Sequence, residues 1–175
     1  MADGFASGLS PADIAALIAS SAPTTFVGGA AAMTVAQLMA NYPPAVGYQG
    51  MYARVSDLYG SVDDIMRCRF DGVAYRWVPQ RDTFNGSNAA TTGTVTITPL
   101  ITPPTLRLTG TLLGNMTIAT NVTNAWIGMR QRVIQVGTIG LFTSTITGLL
   151  GSNLTLLGNT VKDIEYGASG WFASS

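Results

Sequence analysis

The sequence predicts a mainly β protein with a short helical N-terminal extension, a small β-hairpin module and a C-terminal antiparallel sandwich or jelly-roll-like domain. Three observations predict it. Residues 91–175 break into short alternating apolar and polar segments, with turn signals about every eight to twelve residues. Asp71-Gly72, the pair preferred in a two-residue type I′ turn, stands between two strand-like runs. Helix signals are confined to an Ala/Gly/Ser/Pro-rich stretch at the start.

Residues 1–46 form that extension. Ser10-Pro11-Ala12-Asp13 supplies an N-cap, a proline at the first helical position and an acid at the third, after which Ile14, Leu17 and Ile18 share one face. Thr34 to Gln37 sets a capping box, with Val35, Leu38 and Met39 following until Pro43-Pro44 stops the helix. Helices shorter than about 12 residues are unstable alone in water, so both must dock, either on their own domain or on a neighbouring subunit.

Residues 47–82 are the hairpin module. The runs Ile65–Phe70 and Val73–Val78 pair Phe70 with Val73, Cys68 with Tyr75 and Met66 with Trp77 on an apolar face. The other face sets Arg67 opposite Arg76, with Arg69 beside them. Two arginines facing each other repel, so Asp57, Asp63 and Asp64, or an acidic partner chain, should neutralise that face. Tyr52–Ser56 reads as a further strand beside the hairpin, and Cys68 as an inert buried thiol. Residues 83–90 read as a linker. Beyond it, strands are expected at 93–98, 105–109, 115–120, 132–136, 139–145, 153–157, 161–166 and 170–173. Thr-Leu-Leu-Gly-Asn occurs twice, at 111–115 and 155–159, which a recurring strand-end turn explains.

Composition removes most catalytic chemistry. The 175 residues include no histidine and one cysteine, so there is no Ser-His-Asp triad, no His-ligated zinc, no intrachain disulfide and no CxxC motif. Asp63-Asp64 lacks a third metal ligand or EF-hand spacing, so no metal and no cofactor are expected. Asp163 and Glu165 share a strand face, as plain surface carboxylates do more often than glycosidase pairs. Lys162 lacks the serine of an SxxK motif, and the glycine clusters at 137–140 and 148–151 match no phosphate loop. No enzyme is expected. The sequons at Asn85, Asn115, Asn121 and Asn153 carry little weight in so threonine-rich a chain.

Charge points to assembly. Nine basic and nine acidic residues cancel, which argues against a nucleic-acid partner. Charged residues are 10% of the chain, against about 25% in an ordinary soluble domain, and none lies between Ile14 and Ala53. So little charge means that surface is covered by other chains or by a membrane. The most apolar stretch, 12–40, is broken by Ser20-Ser21, Pro23 and Gly28-Gly29, so no run of about 18 apolar residues exists and no membrane is expected.

Leu58–Gln80, with its Asp-Gly turn and Tyr75-Arg76-Trp77, resembles a hairpin segment of tailed-bacteriophage virion proteins: capsid decoration or cement proteins, head fibres and tail-fibre-like proteins. Val161–Phe172, with Tyr166-Gly-Ala-Ser-Gly-Trp171, is similar to the final hairpin of phage β-structured surface domains. The resemblance implies a structural virion protein, commonly a homotrimer, attached through an N-terminal extension. Its localisation would be the virion, after assembly in the host cytoplasm. With the charge map, this makes a capsid decoration or cement protein the expected function, with the chain itself and the major capsid protein as partners. Phe5, Leu9, Phe26, Val35, Leu38 and Met39 are the expected contacts, and Arg67, Arg69 and Arg76 the charge partners. The alternative is a tail-fibre or adaptor protein whose β domain meets a receptor or a host surface glycan, with Trp126 or Trp171 stacking on a sugar ring.

Overall fold

The computed structural model describes residues 26–29, 31–60, 62–81 and 84–174; the first expected helix lies outside them. Among these residues the chain is mainly β, with one short α-helix and three sheets.

The hairpin module is an antiparallel meander of β1 (Tyr52–Leu58), β2 (Val62–Phe70) and β3 (Tyr75–Pro79). Alternation buries Ala53 and Val55 on β1, Met66 and Cys68 on β2, and Trp77 on β3. A bulge after Val55 turns Leu58 inward as well. The helix α1 (Val35–Asn41) covers this face. The Thr34 hydroxyl accepts from the Gln37 N–H at 3.1 Å, and Gln37 Oε1 accepts from the Thr34 N–H at 2.8 Å, closing the expected capping box. Asp57 Oδ1 accepts from the Val35 N–H at 2.6 Å, so this carboxylate caps the helix rather than neutralising the arginine face. Phe26 and Met33 each make an isolated parallel bridge to the outer edge of β1, to Tyr52 and to Val55. From Phe26 onward, then, the extension docks on its own chain.

The hairpin keeps its expected faces but shifts its register. Phe70 pairs with Tyr75, Cys68 with Trp77 and Arg69 with Arg76. The turn centres on Gly72-Val73: the Asp71 N–H donates to Ala74 O at 3.0 Å, and Gly72 takes φ +101°. The cause is the Asp71 carboxylate. Standing just before the turn, its Oδ1 accepts from the N–H groups of Val73 (3.0 Å) and Ala74 (2.9 Å).

The C-terminal region is two facing sheets. β4 (Asn85–Asn88), β6 (Thr105–Leu108) and β8 (Arg130–Gln135) run parallel in one sheet; β5 (Gly93–Ile97), β7 (Met116–Thr120) and β9 (Ser144–Thr147) run parallel in the other. Because the chain alternates between the sheets, these strands form three successive turns of a flattened coil. After β9 the path reverses. β10 (Leu154–Leu156) lies antiparallel on β9, β11 (Val161–Gly167) on β8, and β12 (Gly170–Ser174) on β11. The two-layer architecture is the expected one, with mixed rather than purely antiparallel sheets. Residues 85–88, expected as linker, form an edge strand, and the strand expected at 139–145 is β9, shifted toward the C-terminus.

Leu106, Leu108, Val133 and Ile164 from one sheet share a buried core with Ile97, Ile118, Ile146 and Leu156 from the other. Each such side chain contributes roughly 1.5–3 kcal/mol. One polar bridge crosses this interior, from Ser144 Oγ to Gln135 Oε1 at 3.0 Å. Successive turns meet closely at the corner after β4, β6 and β8. A Cβ at Gly110 would strike the Ala90 carbonyl oxygen, and one at Gly137 would strike that of Gly110. The repeated Thr-Leu-Leu-Gly-Asn buries its first leucine and exposes its second both times, at Leu112/Leu113 and Leu156/Leu157.

The three-stranded unit meets the coil through loops. The Tyr59 N–H donates to Leu100 O at 2.9 Å, and the rings of Tyr59 and Phe84 lie 5.3 Å apart. The Ile127 N–H donates to Asp71 Oδ2 at 3.3 Å.

Candidate functional site: an arginine-lined cleft

A cleft of about 670 Å³ opens between the three-stranded sheet and the outer face of the five-stranded one. The alternation that turns Gln131 and Val133 inward on β8 turns Arg130 and Arg132 outward. The register with β11 sets Asp163 beside Arg132 and Glu165 beside Arg130. Arg132 grips Asp163 with two bonds, Nε to Oδ1 at 2.8 Å and Nη2 to Oδ2 at 3.0 Å, and Arg130 Nε reaches Glu165 Oε2 at 3.0 Å. The hydrogen bond from Arg132 holds the Asp163 carboxyl below the usual carboxylate range; burial opposes this, and the positive charges of Arg132 and Arg130 add to the lowering.

Arg69 from β2 and Arg81 just beyond β3 line the opposite side. Arg81 Nε lies 3.4 Å from Asp64 Oδ1, and the Arg69 guanidinium has no acidic partner among the described residues. Trp126 and Met129, from the loop between β7 and β8, complete an apolar patch. Four arginines thus line one cleft, and among the described residues its single lining carboxylate is Asp163. Such an arrangement can hold an anion by bidentate, charge-assisted hydrogen bonds.

The expected contact residues scatter. Phe5 and Leu9 lie outside the described residues. Phe26 and Val35 are half-buried against the three-stranded unit, and Met39 lines a notch of about 270 Å³ with Tyr75 and Trp77. Leu38 is 0% exposed and belongs to the core, which corrects its expected role as a surface contact. Arg67 lies over the Tyr52 ring at 5.7 Å, Arg76 Nε lies 3.8 Å from Asp71 Oδ2, and of these three arginines only Arg69 enters the cleft. Asp63 pairs with Arg54 at 2.6 Å. Burial pushes the Cys68 thiol up, the Ala45 carbonyl only partly offsetting it, as suits an inert packing group.

Trp171 is corrected too. It is 0% exposed, its indole N–H donates to Asn121 O at 2.9 Å, and Tyr166 meets it edge-on, so it offers no face to a sugar. Trp126 is buried except where it lines the cleft. The cleft itself escaped sequence reasoning because Arg69, Arg81, Arg130 and Arg132 come from distant segments. The one readable signal was Arg130-Gln131-Arg132, whose spacing puts two arginines on one strand face.

Among the described residues no helix is long and apolar enough to cross a membrane, and no three His, Cys, Asp or Glu residues cluster to hold a metal ion. No family model and no curated protein matches the sequence. Among solved structures, the chain is similar to one from a chaperone–substrate complex at 13% identity and a TM-score of 0.41, covering 71% of this chain and 25% of that one. The likeness is too slight to bear on function.

Proposed function

We propose that the protein is a structural virion component that decorates or cements a phage capsid as a homo-oligomer, without enzymatic activity. The observation that carries this reading is an uncharged face. The outer side of the four-stranded sheet aligns Thr94, Thr117, Thr145 and Thr155 in one row, and none of its four strands contains a charged residue. Large apolar side chains stand out elsewhere, among them Val46, Phe70, Val73 and the fully exposed Leu141. Covering such surface costs little desolvation and gains apolar burial, which suits contact with other subunits better than lasting exposure to water. With Leu38 in the core, the contacts to a shell pass to Phe70 and Val73 at the hairpin tip.

Quantitative mass spectrometry of purified particles tests the location. A copy number comparable to that of the major shell protein supports cementing, and absence from particles sinks the virion reading. Native mass spectrometry tests the assembly: the wild type should be oligomeric, and Thr117→Arg with Thr145→Arg should yield folded monomers. A wild-type monomer would remove the uncharged face as an argument. A low copy number would favour the second reading, a tail-fibre or adaptor protein with a ligand-binding β domain, for which the arginine-lined cleft is the supporting observation.

A further inference from the structure

We propose that the cleft between the three-stranded unit and the five-stranded sheet binds an acidic saccharide through its carboxylate. The proposal goes beyond the assembly reading and does not depend on where in a virion the chain resides.

Three observations converge on it. First, the cleft volume of about 670 Å³ falls within the roughly 300–1,000 Å³ of small-ligand sites. Second, its charge is unbalanced. Arg130 and Arg132 are held by carboxylates, whereas Arg69 has none among the described residues, and Arg81 keeps there only a 3.4 Å contact through one nitrogen, with most of its side chain in solvent. Those two guanidiniums therefore retain free donors, and a carboxylate is the planar two-oxygen acceptor that fits such a fork. Third, beside the cations and the Asp163 carboxylate the cleft is lined by residues with neutral donors and acceptors, Gln80, Thr105 and Ser174. A polyhydroxylated ring needs such partners and an acidic peptide side chain does not. Trp126 supplies the apolar edge against which a ring can rest. One arginine without an acidic partner among the described residues, beside three paired ones, is too little free charge for a nucleic acid, whose binding needs many uncompensated cations.

The test titrates the full-length protein with sialyllactose and with trigalacturonate, using lactose as the neutral control, and follows binding by calorimetry. At least one acidic sugar should bind saturably, more weakly as salt rises, while lactose should not bind. Arg69→Ala should weaken that binding about tenfold or more, the loss of a charge-assisted pair. Arg69→Lys should fall between, because it keeps the charge and loses the fork. Arg107→Ala, exposed and outside the cleft, should leave binding unchanged. Since Arg69 is exposed and has no acidic partner among the described residues, its variants should melt like the wild type, separating lost binding from lost folding. Binding of neither acidic sugar, equal binding of lactose, wild-type affinity in Arg69→Ala, or equally tight binding of a tetraglutamate peptide would each overturn the proposal. None of these outcomes alters the copy number in particles, so the two readings fail separately.

Discussion

The three-stranded unit and the coil bury the same kinds of side chain through opposite connectivities. In the first, each strand pairs with its neighbour in sequence, β1 with β2 and β2 with β3. In the second, a strand pairs with the one a full turn later: Asn85 meets Thr105, Thr105 meets Arg132, and Met116 meets Ser144. The meander can form contact by contact with short loop closures. The coil must close long loops before any ladder forms, so its folding should be the slower step. Each region rests on one buried tryptophan whose indole N–H is spent on a backbone carbonyl, Trp77 on Tyr42 O at 2.8 Å and Trp171 on Asn121 O at 2.9 Å.

Core truncation probes this division most strongly. Trp171→Ala should cost about 3–5 kcal/mol and Leu38→Ala about 2–5 kcal/mol. Hydrogen exchange should show the first loss concentrated in β8, β11 and β12 and the second in α1 and β1–β3. If either variant loosened both regions equally, the two would be one cooperative unit. Gly137→Ala comes next, at about 1–3 kcal/mol, because its Cβ meets backbone that cannot rotate away. Stopped-flow refolding should show it slowing the coil and sparing the meander.

Asp71 joins the regions, and its effect depends on pH. Its side chain is 2% exposed. Burial disfavours the charged form, yet the N–H groups of Ala74, Val73 and Ile127, with Arg76 nearby, outweigh it and hold the carboxyl below the usual aspartate range. A depressed native pKa contributes stability above the unfolded value of ~3.9, which is lost as pH falls toward the native one. The wild type should therefore lose melting temperature as pH drops from about 5 toward 2. Asp71→Asn, costing about 1–3 kcal/mol at neutral pH, should flatten part of that slope. An unchanged slope would remove Asp71 as the acid-sensitive joint.

The meander was legible in sequence because its signals are local. The Thr34 box, the Asp-Gly pair and the alternation on either side lie within a few residues of what they specify. Its register was misplaced by the one feature that reaches across the fold, since the Asp71 carboxylate binds Ile127 as well as its own turn. Most coil strands were legible too, but not their direction: a half-buried strand alternates identically beside a parallel or an antiparallel neighbour. Asn85–Asn88 was missed because Asn-Gly-Ser-Asn has no apolar alternation, and β6 alone holds it in the sheet. Of the cleft, only the Arg130/Arg132 pair was readable, because its two sides come from separate sheets.

The corner where Gly110 and Gly137 stack also governs where the chain can change length. One residue inserted beside that column would rotate the following strand and send its inward side chains to the outside. The bends at 98–104 and 121–129 are tied down by Leu100 and Ile127. Among the described residues the bend at 138–143 carries no such tie to the three-stranded unit, and Leu141 at its tip is fully exposed. Insertions and deletions should accumulate there, so that this bend can diversify from one relative to the next while the turns beneath it keep their count.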